Sequence, residues 1–425
     1  MFKLKELETI TRSIERNFPI YFGLLICVIL STYLVIYKYF ASPRRFRGDF
    51  YAVMFDPTWW DGSGVVYGPL VVFERWMVNA FPRVFTIEFF GFFNLVLIGL
   101  SIAICIKVTS SDRLQMLMYI VFLSLNSFFL YSFSVAANPE LIELALLCIL
   151  WWGLSRRHIR FSWFVLTLAI LTKLVPVILV PLLFAYFSWA AVLVSAFAAF
   201  FILVVVSIGQ NQSPFLTIAQ ILDTKSVDPQ PTSEQFLGLS SALARMLGIE
   251  PGENFSLANN LALGFSIGVY IIVLALTLLV YKSHQEPMLH IRMSYLFVLY
   301  LSVIPILHQN AAHRHTFLFL APVFVGLSFI LKSEPEPTRA KKYKIALVAG
   351  FLIYSFLPVY LLDFYNFDFF SGIHFGQSLK TSVLYLTEPI WFNVALTLTL
   401  MIYGKSRFLS PNHLASDPNS QVSTR

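Results

Sequence analysis

The stretch FSWFVLTLAILTKLVPVILVPLLFAYF, Phe161 to Phe187, is apolar and long enough to cross a bilayer, yet Thr172, Lys173 and Pro176 interrupt it. It reads either as one span or as a hairpin of two short helices. The choice sets the orientation of everything that follows. With a hairpin whose tip lies outside, the segments 1–17, 107–115, 155–160, 281–292, 332–344 and the tail share one side and hold 19 Lys and Arg, against 9 in the segments opposite. With a single span, the cluster Lys332, Arg339, Lys341, Lys342 and Lys344 falls outside, against the rule that cytoplasmic loops are the basic ones. The hairpin is therefore the expected reading.

Working outward, further apolar runs lie at about 18–40, 84–106, 116–135, 140–154, 189–208, 259–281, 291–307, 316–331, 344–362 and 387–403. The expected fold is an all-α polytopic membrane protein of about twelve helical segments. Residues 1–17 form a cytoplasmic N-terminal segment, 18–403 one transmembrane domain, and 404–425 a Ser/Asn/Pro-rich disordered cytoplasmic tail. Its outer loops are 41–83, 209–258, 308–315 and 363–386. Within the first loop, Pro69 to Phe81 reads as a short interfacial helix with Glu74, Arg75 and Asn79 on one face.

Composition agrees: 57% of residues are hydrophobic, 12% are charged and the mean hydropathy is +0.73. A water-exposed surface rich in Lys and Glu does not give such a balance. The net charge of +7 sits in short clusters between apolar runs, which excludes nucleic acid as the expected partner and leaves membrane lipid. Lys3, Lys5, Arg12 and Arg16 precede the run Phe18 to Phe40, which is too long for the core of a signal peptide and reads as an uncleaved first span. Cys27, Cys105 and Cys148 each lie inside an apolar run and read as small core residues, giving neither a disulfide framework nor a zinc site. No internal repeat is visible, which argues against a transporter built from related halves.

The chemistry-bearing residues gather in the outer regions. The first loop holds Asp49, Tyr51, Asp56, Trp59, Trp60, Asp61 and Tyr67: carboxylates suited to taking a proton from a hydroxyl, among rings suited to stacking on a sugar. They read equally as loop carboxylates paired with Arg44, Arg45 and Arg47. Lys173 stands between two apolar half-segments, where an ammonium is costly unless it meets an anion such as phosphate or snorkels to the head groups. His308, His313, Arg314 and His315 form an interfacial polar cluster or a phosphate clamp; their spacing matches no standard metal motif, and no metal or other cofactor is expected. Glu234 to Gly248 reads as a helix stopped by Gly248, lying on the membrane with Arg245 satisfying its last carbonyls.

These residues resemble the membrane-embedded GT-C glycosyltransferases, most nearly the polyprenol-phosphate-mannose-dependent glycosyltransferase family 87. Gly48-Asp49-Phe50-Tyr51 is similar to that family's Asp-x-x-Tyr-type start of the first outer loop, and Tyr67-Gly68-Pro69-Leu70 to its Tyr-x-Pro-Leu element. Leu171 to Pro176 is similar to its Lys-x-x-Pro hairpin tip, and Ser240 to Gly248 to its Ser-rich loop containing Leu-Ala-Arg. The order of the motifs agrees over about residues 18–330, while the region of Asn138-Pro139-Glu140 lacks the family's Gly-Gln.

The resemblance implies an inverting transfer of a hexose (mannose-like) or pentose from a polyprenyl-phosphate donor to a hydroxyl of a glycolipid or glycan. It places the site on the non-cytoplasmic face, in a bacterial inner membrane. Asp49, with Asp56 second, is the implied base; Lys173, Arg245 and Arg314 hold the donor phosphate. Tyr51, Trp59, Trp60, Asp61, Tyr67, His308 and His313 are the implied contacts to acceptor or sugar. A polymerase or ligase of lipid-linked oligosaccharides is the nearest alternative, and a multi-pass transporter or lipid flippase the next.

Overall fold

The computed structural model describes residues 140–184, 188–209, 213–216, 238–249, 256–282, 289–307, 320–334 and 389–409, with scattered residues in 70–109 and 338–345. Among the described residues the chain is helical, with no strand. The helices are α1 (Glu140–Ser155), α2 (Ile159–Thr172), α3 (Val180–Phe184), α4 (Trp189–Gly209), α5 (Leu239–Met246), α6 (Ser256–Lys282), α7 (Leu289–Leu307), α8 (Leu320–Lys332) and α9 (Pro389–Phe408), with a 3-10 turn at Val175–Leu179. Among the described residues three helices are long and apolar enough to cross a membrane: Trp189–Gly209, Ser256–Tyr281 and His290–Leu307.

The expected hairpin is visible over residues 161–184. α1 ends in a double turn in which the His158 N–H donates to the Gly153 carbonyl at 2.9 Å and the Arg157 N–H to Leu154 at 3.2 Å. Arg157 occupies the left-handed position, φ 59°, that glycine usually fills. The chain thereby reverses at once into α2. Gly153 permits the close approach, since a Cβ there would lie 2.7 Å from Ser162 Oγ. α2 then stops at Thr172, because the ring of Pro176 clashes with a helical carbonyl four residues before it. Lys173 is extended, at φ −153° and ψ 142°. The chain returns through the 3-10 turn and α3, until Phe184 meets Trp163 edge to face, ring centroids 6.3 Å apart, beside the start of α2.

α7 is the central helix: Arg292 to Ile306 are all buried. Antiparallel α1 lies against it, with Trp151 Nε1 donating to Ser294 Oγ at 3.1 Å and the Trp151 ring stacked on Phe297. α8 and α9 approach where they carry glycine: a Cβ on Gly326 would strike Val298, and one on Gly404 would lie 1.8 Å from the Tyr295 hydroxyl oxygen. Pro305 removes an N–H from α7 and disturbs the turn before it. In that turn the Ser302 carbonyl accepts from Asn393 Nδ2 at 2.8 Å and Thr397 Oγ1 at 3.1 Å of α9. α6 presents the stripe Ala258, Ala262, Ser266, Val269, Val273, Leu276 and Val280 to the bundle and leaves Leu261, Ile267, Ile271 and Leu278 exposed. α4 buries Ala191, Ser195, Val206 and Ser207 and exposes Trp189, Leu193, Phe197, Phe200 and Phe201.

The contacts sort the helix ends onto two sides. Tyr270 and Tyr281 donate to the carbonyls of Ile178 and Leu182, so the return leg runs alongside α6. Ser266 Oγ donates to the Ile306 carbonyl, joining the first half of α6 to the last turn of α7. One end of the bundle therefore holds the start of α1, Lys173, the start of α6 and the end of α7. The other holds Arg156, Arg157 and Arg160, Lys282, Lys332, Lys405 and Arg407.

Several expectations are corrected. α9 runs to Phe408, four residues past the expected start of the tail at 404, and a shorter α5 begins at Leu239 rather than Glu234. Cys105 and Cys148 are buried core residues and free, as expected, and their thiols touch, Sγ to Sγ 3.7 Å. Cys27, the N-terminal segment, the runs at 18–40 and 116–135, most of the runs at 84–106 and 344–362, and residues 410–425 lie outside the described residues.

Candidate functional site

Lys173 is the expected site residue whose side chain lies within the described residues, and it is 5% exposed. Its backbone N–H still belongs to α2, donating to the Ala169 carbonyl at 3.0 Å. The segment after it is apolar, with Pro176 and Leu179 buried and Leu174 and Val177 exposed. The ammonium is thus set by a helix break at one end of the bundle, at the tip of a hairpin whose legs are both short. α2 rises about 21 Å, less than the roughly 30 Å of a hydrocarbon core.

α5 sits at the same end, immediately before α6 and packed against it. Leu239, Ser240, Ser241, Ala242 and Ala244 are all buried, so the helix is part of the bundle and does not lie on its outside. It stops as expected: Gly248 takes φ +68°, and the N–H groups of Leu247 and Ile249 donate to Leu243 and Ala244. Those bonds satisfy the last carbonyls, the role expected of Arg245. Arg245 stands on the last turn of α5. Ser241 Oγ is buried with no hydrogen-bond partner among the described residues.

The structure therefore brings to one end Lys173, the helix that carries Arg245, and Leu307, which directly precedes His308. Asp49, Tyr51, Asp56, Trp59, Trp60, Asp61, Tyr67, His308, His313 and Arg314 lie outside the described residues.

One residue at this end was not singled out from the sequence. Glu143, in the first turn of α1, is 0% exposed. Its signal was available: it is a carboxylate inside the apolar run 140–154, and an ionisable residue inside such a run marks a functional position by default.

The opposite end buries ionic groups of another kind. Arg407 of α9 forms an ion pair with Glu334, just past α8, and both side chains are at most 2% exposed. The same guanidinium donates to Tyr403 Oη at 2.9 Å and to the Ser333 carbonyl at 2.6 Å, while Tyr403 donates to Glu334 Oε2 at 2.7 Å. The ring of Phe408 lies beneath both Arg407 and Arg292. This cluster ties α8 to α9. No group of three or more His, Cys, Asp or Glu suited to a metal ion occurs among the described residues. No protein-family model, curated protein or solved structure matches the chain.

Proposed function

We propose that the chain is a multi-pass membrane glycosyltransferase that takes a sugar from a polyprenyl-phosphate donor and passes it to a hydroxyl of a glycolipid or glycan. The observation that carries the reading is Lys173: a buried ammonium at a helix break, 5% exposed. Among apolar helices such a cation is stabilised by an anion, and a lipid phosphate brings one to that depth. The buried hydroxyl of Ser241 on neighbouring α5 adds a donor at the same end.

Orientation follows from charge. The end that holds Arg156, Arg157, Arg160, Lys282, Lys332, Lys405 and Arg407 takes the cytoplasmic side, and the Lys173 end the outer face of a bacterial inner membrane. The full domain then comprises about twelve helical segments in a GT-C-like arrangement, with outer loops at 41–83, 209–258, 308–315 and 363–386.

In the proposed reaction Asp49, or Asp56 in its place, removes the acceptor hydroxyl proton as the oxygen attacks the anomeric carbon. The bond from that carbon to the phosphate oxygen breaks, and the polyprenyl phosphate leaves with the electron pair. Lys173, with Arg245 and Arg314, stabilises the charge that builds on it. A single displacement inverts the anomeric centre. Tyr51, Trp59, Trp60, Asp61, Tyr67, His308 and His313 contact the sugar or the acceptor.

The test is mass analysis of lipid-linked and surface glycans from cells with and without the gene. A glycan short by one sugar residue is the expected result. Loss of a whole polymer ladder assigns the chain instead to the polymerases, and an unchanged glycan profile contradicts the proposal.

A further inference from the structure

The reversal between α1 and α2 carries cations that, unlike Arg407, are open to the outside. Trp152 stands at their centre. Lys107 Nζ lies 5.9 Å from the centroid of that ring, and the His158 ring 5.5 Å from it. Arg156 is one turn beyond Trp152, its N–H donating to the Trp152 carbonyl at 3.1 Å, and Arg160 directly precedes Phe161. Lys107 reaches the ring from the helix Gly99–Thr109, which meets α1 where the thiols of Cys105 and Cys148 touch. Lys107, Arg156, His158 and Arg160 are all exposed.

Their charge is not compensated within the described residues. No carboxylate there pairs with any of the four. Glu140 and Glu143 stand at the far end of α1, the nearer of them about 18 Å from Ser155 by helical rise, and Glu334 is held by Arg407. Inward from the cations the surface turns apolar. The Phe161 ring meets the Trp152 ring edge to face at 5.8 Å, and Phe164 follows three residues deeper on the same stripe of α2. Both phenylalanines are exposed, at 39% and 37%.

The order from the end of the bundle inward is therefore cations, an indole, then exposed phenyl rings. A phospholipid lying along a membrane protein presents its parts in the same order: phosphate among the cations, glycerol at the level of the aromatic belt, acyl chain beneath. A soluble anion would use the cations and leave the rings without a role.

We infer that the α1–α2 turn, together with Lys107, is a binding site for an anionic phospholipid of the leaflet that the basic end faces. Lys107, Arg156 and Arg160 hold the phosphate, and Phe161 and Phe164 carry an acyl chain. The site stands at the opposite end of α2 from Lys173 and does not depend on the reaction proposed there.

The test measures Kd for phosphatidylglycerol and for phosphatidylcholine with the same acyl chains, on the purified full chain in a nonionic detergent. Wild type is expected to bind the anionic lipid about tenfold or more tightly than the zwitterionic one. Lys107→Gln combined with Arg156→Gln and Arg160→Gln is expected to lose that preference, and Arg156→Gln alone to reduce it by about fivefold. Phosphatidylcholine binding is expected to stay unchanged in both variants, which separates loss of charge from damage to the fold. Lys341→Gln combined with Lys342→Gln and Lys405→Gln removes equal charge from exposed positions at the same end, where Tyr343 meets Tyr403, and is expected to change the preference by no more than about twofold. Lys173→Ala is expected to leave it as in wild type.

A wild type that does not distinguish the two lipids overturns the inference, as does a preference that survives the triple change at the turn. Equal loss in the Lys341, Lys342 and Lys405 variant assigns the preference to the basic end as a whole, and loss in Lys173→Ala assigns it to the other end; each overturns the inference. Inorganic phosphate that displaces the lipid at the lipid's own concentration identifies a site for the free anion and overturns it also.

Discussion

Each end of the bundle buries ionic groups, and the two solve that problem differently. At the basic end the Arg407 guanidinium is committed to Glu334, Tyr403 and Ser333, on α9 and just past α8. At the other end Lys173 is a compact ammonium on extended backbone, where one helix has stopped and the next has not begun. A planar fork fixed by several partners cannot turn to a ligand without breaking all of them, whereas an ammonium exchanges partners by rotation. The first arrangement holds helices together; the second suits binding and release of an anion. Burial of charge alone therefore does not mark a site; the local backbone and the chemistry of the cation separate the two cases.

That contrast can be broken most severely through activity. Asp49→Asn, the change of the proposed base, is expected to lower turnover by about 100-fold or more while the protein still inserts, and Asp61→Asn to do much less. Turnover with a defined donor checks both. Retained activity in Asp49→Asn with loss in Asp56→Asn moves the base by seven residues. Retained activity in both overturns the proposed carboxylate chemistry.

At the basic end the large effect is on stability. Arg407→Met leaves the Glu334 carboxylate buried without its cation and is expected to cost about 3 kcal/mol or more. The double change with Glu334→Gln is expected to cost less than Arg407→Met alone. Thermal unfolding in detergent measures this, and binding of a polyprenyl phosphate by the folded fraction is expected to stay as in wild type. A loss of that binding abolishes the division between the two ends.

Smaller effects sharpen the account of packing. Gly404→Ala sets a methyl 1.8 Å from the hydroxyl oxygen of buried Tyr295 and is expected to destabilise by about 1–3 kcal/mol, partly relieved by Tyr295→Phe. Gly268→Ala, where a Cβ meets nothing within 4 Å, is expected to stabilise by about 0.5–1 kcal/mol, because alanine is the better helix former. Unfolding midpoints check both, and equal effects at the two glycines contradict the contact assigned to Tyr295.

What was legible in the sequence was local. The hairpin tip could be read because Lys173 and Pro176 stand within four residues of each other, and the end of α5 because Gly248 follows a helical pattern. Glu143 was legible by the rule for ionisable residues in apolar runs, yet its complete burial depends on the packing of α1 against its neighbours. The thiol contact of Cys105 with Cys148 and the tie between Glu334 and Arg407 join residues 43 and 73 apart. A polar pair so far apart leaves no periodic trace, because what brings it together is the packing of whole helices. The extension of α9 to Phe408 leaves no local trace for a related reason: Lys405, Ser406 and Arg407 read as a tail, and what holds Arg407 is Glu334 and Ser333.

The central claim, that Lys173 receives the phosphate of a lipid-linked donor, is tested most directly by transfer of a labelled sugar from a defined polyprenyl-phosphate donor by the purified protein. Initial rates are followed against donor and acceptor concentration in wild type, Lys173→Ala and Lys173→Arg. The account predicts saturable transfer in wild type. In Lys173→Ala it predicts a loss of about tenfold or more in kcat/KM for the donor with little change in KM for the acceptor, and in Lys173→Arg a partial recovery. Transfer in Lys173→Ala with wild-type dependence on donor concentration, or no transfer by wild type from any polyprenyl-phosphate sugar, would contradict it.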